Sequence, residues 1–231
     1  MRPRARSDEA VRKALLVCGI VSSLLYGAMV SVIRYEGYSL FSQVPSELAA
    51  IGAPTRWLWL WLGSIYTALV TAFGWGVWKT AGSSRGIRIV GATILGYGSL
   101  GLLWPFAPMH QRDVLAAGGG TLSDTMHVVL GGVTVLLMFL AIGFGAASFG
   151  RRFRFYSIVS GVLLLAFGGL TFLEAPRVQT HLPTPWIGLW ERLNISLFLL
   201  WVAMLATVLL RCRNIPGTNA LGGNGHEIGA R

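Results

Sequence analysis

Six stretches of this chain are each long and apolar enough to cross a bilayer, and nothing else in its 231 residues constrains the fold as tightly. A membrane helix needs about 20 predominantly apolar residues to traverse the hydrocarbon core. Residues 14–33, 57–78, 87–106, 126–149, 155–173 and 186–210 meet that requirement. Only 12% of the residues are charged, about half of what a soluble domain uses to cover its surface. A mean hydropathy of +0.62 argues the same way: in water, most of the apolar surface would stay uncovered. The sequence therefore predicts an all-α membrane protein, a single bundle of six transmembrane helices. The first stretch follows Arg2, Arg4, Arg6, Arg12 and Lys13, as the apolar part of a signal peptide would. It is longer than such a segment and no clean small-x-small cleavage site follows, so it reads as a retained helix.

An even number of crossings puts both termini on one side, and the basic residues indicate which. One side receives Arg2, Arg4, Arg6, Arg12, Lys13, Lys79, Arg85, Arg88, Arg151, Arg152, Arg154, Arg211, Arg213 and Arg231. The other receives Arg34, Arg56, Arg112, Arg177 and Arg192. All the loops are short enough for the positive-inside rule, so the richer side is expected in the cytoplasm and the bundle in the plasma membrane. Residues 1–13 read as a basic cytoplasmic tail, 14–210 as the membrane domain, and 211–231, rich in Gly and Asn, as a disordered cytoplasmic tail. The net charge of +10 does not point to nucleic acid, because the basic residues sit in short clusters with no soluble domain to carry them. Membrane lipids with anionic headgroups are the expected partners. Cys18 and Cys212 form no CxxC motif and read as small packing residues.

The acidic residues and histidines show the opposite bias. Glu36, Glu47, Asp113, Asp124, Glu174 and Glu191 fall on the side poor in Lys and Arg, as do His110, His127 and His181. The chemistry of the chain is thus expected to face outward, on connections longer than hairpins need. The first of these, 34–56, contains Ser46-Glu47-Leu48, which suggests a short interfacial helix capped by Ser46.

The fourth span opens with Thr121-Leu-Ser-Asp124-Thr-Met-His127. Thr121 and Asp124 have the spacing of a capping box, which would make Asp124 structural. His127 follows Asp124 by three residues and shares its face with Gly131 and Thr134, so it either bonds a neighbouring helix or points into a site. The sixth span reads as starting from Thr184 at the N-cap with Pro185 in the first turn. Glu191 and Arg192 then lie at or just below the headgroups, as an ion pair or as part of an outward cavity, with Asn194 on the Glu191 face. Pro108-Met-His110-Gln-Arg112 would hold His110 and Arg112 at the mouth of the bundle, and Glu47 and His181 sit in flanking loops. His110, Asp124, His127, Glu191 and Arg192 are therefore the leading site candidates, with Glu47, Arg112, His181 and Asn194 behind them. Trp57, Trp59, Trp61, Trp75, Trp78, Trp186 and Trp190 read as interfacial anchors. Gly96, Gly101, Gly131, Gly132, Gly161, Gly168 and Gly169 read as helix contacts. Asn194-Ile-Ser196 matches a glycosylation sequon that a membrane span cannot use.

With these motifs in view, the sequence resembles the bacterial and archaeal membrane family called domain of unknown function 998. The resemblance rests on Tyr35-Glu-Gly-Tyr38-Ser39 and Ser46-Glu47-Leu48, on Met109-His110, on Leu122-Ser-Asp124-Thr-Met-His127, and on Gly188-Leu-Trp-Glu191-Arg192-Leu. It implies a membrane bundle over roughly residues 14–210 and no particular activity.

Three functions remain open. One is binding or transport of a small molecule or lipid in an outward cavity lined by His127, Glu191 and Arg192. The second is a membrane-embedded enzyme acting on an outer-leaflet lipid, with His110, Asp124 and His127 as possible zinc ligands. That enzyme would be similar in outline to the ceramidase-like hydrolases, whose HxxxH pair this chain lacks. The third is a structural or accessory protein whose outer polar groups clamp helix ends.

Overall fold

The computed structural model describes residues 3–180 and 182–211. Six long helices dominate it: α1 (Pro3–Val32), α2 (Arg56–Thr80), α3 (Arg85–Leu100), α5 (Leu122–Ser148), α6 (Arg151–Gln179) and α7 (Ile187–Arg211), with a short α4 (Arg112–Ala116) between the third and fourth. All six carry windows long and apolar enough to span a membrane, α3 together with the 3-10 turn Gly101–Phe106 that extends it. No strand occurs among the described residues.

Five of the six long helices start earlier than their hydropathy suggests, while α3 gives way to a 3-10 turn after Leu100. α1 continues through the basic segment to Pro3, where Glu9 and Lys13 pair at 2.8 Å one turn apart. His181, Cys212 and the C-terminal tail lie outside the described residues.

Each long helix packs on the next, and α7 returns to pack on α1, so the six form a closed ring. The α2–α3 hairpin is the tightest contact. A Cβ on Gly91 would fall 2.6 Å from the Trp78 backbone nitrogen, and one on Gly74 would fall 2.8 Å from that of Leu95. Only glycine permits so close an approach of backbones. Residues on the outer wall of the ring, such as Leu24, Phe155, Phe172 and Leu200, are exposed and apolar, as a lipid-facing surface requires.

The two ends of the ring differ. The end carrying Lys79–Arg88 and Arg151–Arg154 is filled by Leu16, Phe73, Ile142, Phe153, Trp201 and Leu205, all at or below 8% exposure. Trp201 satisfies its indole N–H there by donating to the Ser157 hydroxyl at 2.9 Å. At the opposite end the connections fold into a cap with its own small core, formed by Val44, Ala50, Met109, Leu115, Val178 and Ile187.

Two local expectations are corrected in this cap. The short helix in the first connection is a 3-10 turn, Pro45–Ala49, and it follows Val44; Ser46 does not cap it but donates to the Met109 sulfur at 3.2 Å. The last helix begins at Ile187, not after Thr184. The Thr184 hydroxyl is taken instead by Ser42, whose carbonyl it reaches at 3.0 Å, and by Arg112, which donates to it at 2.6 Å. A side chain held on both sides by tertiary partners is not free to cap a helix.

Candidate functional site

Between the packed end and the cap, the ring is hollow. A cavity of about 670 Å³ runs from the cap down to Val70, Met138 and Leu164, within the range of about 300–1,000 Å³ typical of small-molecule sites. Its wall is mostly apolar, with a few polar groups set into it.

The leading candidates separate into two groups. Asp124, His127 and Glu191 line the cavity, as does Asn194. His110, Arg112, Glu47 and Arg192 do not: they hold the cap together.

Asp124 is 8% exposed and occupied on both oxygens. Oδ1 accepts from the His110 backbone at 2.7 Å; Oδ2 accepts from Thr121 N at 2.8 Å, the capping-box bond, and meets His110 Nδ1 at 2.9 Å. A carboxylate only accepts, so His110 Nδ1 carries the proton of that bond. Asp124 thereby ties the start of α5 to the connection after α3.

His127 bonds the Ala107 carbonyl through Nδ1 at 2.8 Å and meets the Trp104 ring edge-on at 4.8 Å. The carbonyl accepts, which places the proton on Nδ1 and leaves Nε2 as the ring nitrogen without a partner among the described residues. Gly131 and Thr134, on the same face, line the cavity with it.

Glu191 is the unusual member. Among the described residues it makes neither a hydrogen bond nor an ion pair, although it lies in a helix long and apolar enough to span a membrane and faces the cavity. Arg192, next in sequence, turns the other way. Its Nε donates to Val30 O at 2.9 Å, Nη1 to the carbonyls of Leu40, Gln43 and Gly188 at 2.7–3.0 Å, and Nη2 to the Tyr38 hydroxyl at 2.7 Å. The guanidinium is committed to stitching α7 onto α1 and the first connection. Asn194, 5% exposed, donates to Leu164 O at 2.6 Å and so joins α7 to α6.

Glu47 and Arg112 form the second clamp of the cap. Glu47 is 3% exposed and also accepts from Val44 N and from the Gln43 amide at 3.0 and 2.9 Å. Arg112 further donates to Ser42 O at 2.6 Å.

The zinc set considered from the sequence does not converge. Among the described residues, no group of three or more His, Cys, Asp or Glu side chains could hold a metal ion. His110 and Asp124 satisfy each other, and His127 is turned to a backbone carbonyl.

Some lining groups carry no sequence signature. Tyr26, Tyr66 and Tyr97 all face the cavity. The Tyr26 and Tyr66 rings lie 4.4 Å apart, and the hydroxyls of Tyr66 and Tyr97 share a 2.7 Å hydrogen bond across α2 and α3. Trp59, expected among the interfacial anchors, is 8% exposed and belongs to the cavity wall, whereas Trp57, Trp61, Trp75, Trp78 and Trp186 are exposed as anchors would be. The only clue to these groups is polar or aromatic substitution inside an apolar span, which does not say what faces what. Glu174 lies on α6 and does not line the cavity; its Oε1 accepts from the Trp190 indole at 3.3 Å, and its buried Oε2 has no partner among the described residues.

Residues 17–208 match the family model described as "Protein of unknown function (DUF998)". The chain belongs to this family. The match covers nearly the whole helical bundle, from within α1 to within α7, including every cap and cavity residue described above. None of the curated proteins and no solved structure is similar enough to match. For this DUF998 chain, function has to be argued from the hollow and its wall.

Proposed function

We propose that this protein binds a hydrophobic or amphipathic small molecule in the capped half of its bundle, with the cap facing outward and both termini in the cytoplasm. One observation carries the reading: the ring is packed solid at its basic end and hollow at the other. A helical ring of this size gains dispersion contacts by filling its centre, and cavities cost stability in proportion to their volume. The sequence instead places glycine at Gly131 and Gly132, where no atom lies within 4 Å of the position a Cβ would occupy. The cavity is thus widened by residue choice on a helix that packs tightly elsewhere. The basic residues at the packed end support the orientation through the positive-inside rule.

The test uses the protein reconstituted in nanodiscs and a photoreactive long-chain alcohol carrying a diazirine. Adducts are expected on cavity residues such as Tyr97 and Met138, and they should disappear in Gly131→Phe. Gly143→Phe is the control, since Gly143 is exposed, has no atom within 4 Å of a built Cβ and does not line the cavity. Adducts confined to outward-facing residues such as Leu136 and Phe144, and indifferent to Gly131→Phe, would refute the reading.

A further inference from the structure

We infer that the guest is a single-chain amphiphile with a primary ammonium head, which arrives sideways from the bilayer between α5 and α6 and seats its head on Glu191. The inference rests on the binding function proposed above and names the class of guest.

The route follows from what is closed. The Leu16–Trp201–Leu205 core fills the basic end. The cap is locked over the other end by the Arg112–Glu47 pair and the Arg192 clamp. The wall between α5 and α6 is different. In their basic halves these helices meet, where a Cβ on Gly161 would lie 3.5 Å from Ile142 and 3.8 Å from Phe139. In their capped halves both carry adjacent glycines, Gly131-Gly132 and Gly168-Gly169, all four lining the cavity. No atom comes within 4 Å of a built Cβ on Gly131, Gly132 or Gly169. Val128, Leu165 and Phe172 line the same cavity and yet are 59%, 51% and 73% exposed, more than a closed wall would leave. Residues that face the interior and the exterior together mark an opening in the wall, and its rim is apolar. What passes through it comes from the hydrocarbon phase.

The head follows from Glu191. An isolated carboxylate in a low-dielectric interior is costly unless a donor or cation meets it. The natural candidate, Arg192, has each of its three guanidinium nitrogens bonded to α1, α7 or the first connection, and no other described Lys or Arg lines the cavity except Arg56, which donates to Ala49 O at 2.7 Å. The carboxylate is therefore left for a guest to pair. A primary ammonium supplies both the opposite charge and up to three N–H donors. The same cavity also carries the Tyr66 and Tyr97 hydroxyls and the His127 ring as further polar groups. From Asp124 to Met138 the cavity follows α5 for about 21 Å at 1.5 Å per residue, a length suited to an extended chain beyond the head.

Competition against the photoreactive alcohol separates this inference from the binding function itself. Three unlabelled competitors of equal chain length are compared: a primary amine, an alcohol and a carboxylic acid. In the unaltered protein the amine should displace the probe at a concentration at least about tenfold below the alcohol, the effect of one charge-assisted hydrogen-bonded pair, and the acid should be weakest. Glu191→Gln should abolish the amine's advantage while leaving labelling by the alcohol intact. Equal competition by amine and alcohol, or a leading acid, overturns the inference without any variant needing to fold. An amine advantage that survives Glu191→Gln overturns the assignment of the seat. Failure of the alcohol to label the cavity at all would instead remove the binding function on which the inference stands.

Discussion

Arg112 and Glu47 face each other as a fork on a carboxylate, Nε to Oε2 at 2.8 Å and Nη2 to Oε1 at 2.7 Å. The two residues are 65 positions apart, and the pair joins the first connection to α4 with Glu47 almost fully buried. Such a pair is weak evidence of net stabilisation, but removing one partner strands a buried charge. Arg112→Met or Glu47→Leu alone should each cost about 3–5 kcal/mol, whereas the double substitution Glu47→Leu with Arg112→Met should cost clearly less than their sum. Thermal melting of the four proteins in one detergent measures the coupling; strict additivity would show that the pair does not lock the cap.

Arg192 should behave as a clamp. Its planar fork reaches four carbonyls and the Tyr38 hydroxyl from one position, a pattern that a single ammonium cannot reproduce. Arg192→Lys is therefore expected to lower the melting temperature nearly as far as Arg192→Ala. In whatever fraction stays folded, the ranking of amine, alcohol and acid should be unchanged, because Arg192 does not line the cavity. A lysine variant with unaltered melting would refute the clamp.

Tyr38 gives the clamp a dependence on alkaline pH. Its hydroxyl is held by Gln43 O, Val44 O and Arg192, and burial pushes its pKa from 10.0 up to about 12, against the opposing effect of the Arg192 hydrogen bond and charge. The folded state thus favours the protonated phenol. Its contribution should be complete below about pH 10 and fade as pH rises towards about 12, since the unfolded chain loses that proton first. The difference in melting temperature between the parent protein and Tyr38→Phe should be flat below pH 10 and narrow above it. A difference that grows above pH 10 would contradict the buried neutral phenol.

The six helices were legible because the signal is local: each apolar run of about 20 residues declares itself without reference to any other. The capping role of Thr121 and Asp124 was legible for the same reason, since three residues of spacing fix both partners. Ser46 and Thr184 misled because their hydroxyls bond residues 63 and 142 positions away, which no local pattern encodes. Arg192 was readable as a charge needing a partner, but the partners are backbone carbonyls, which every sequence supplies everywhere. His127 and Glu191 were readable as polar groups in a span, while the hollow they face depends on how six faces meet. The tyrosine pair on the wall of that hollow, Tyr66 and Tyr97, joins residues 31 apart and appears only once α2 and α3 are packed.

The glycines make the sharpest case, because one residue type in one helix serves opposite ends. Gly131 and Gly132 read from sequence as contact points, yet the glycines of α5 divide. A Cβ at Gly145 would lie 2.5 Å from Cζ2 of Trp201, in the packed end, while one at Gly131 would meet nothing within 4 Å. Gly145→Ala forces the Trp201 indole from its bond to Ser157 and should cost about 1–3 kcal/mol, the usual penalty for overpacking. Gly131→Ala removes a poor helix former without a clash and should stabilise by up to about 1 kcal/mol. The two melting shifts should therefore differ in sign, measured in the same detergent. If Gly131→Ala destabilises as Gly145→Ala does, α5 is packed at both ends and the cavity between its glycines and α6 is not open.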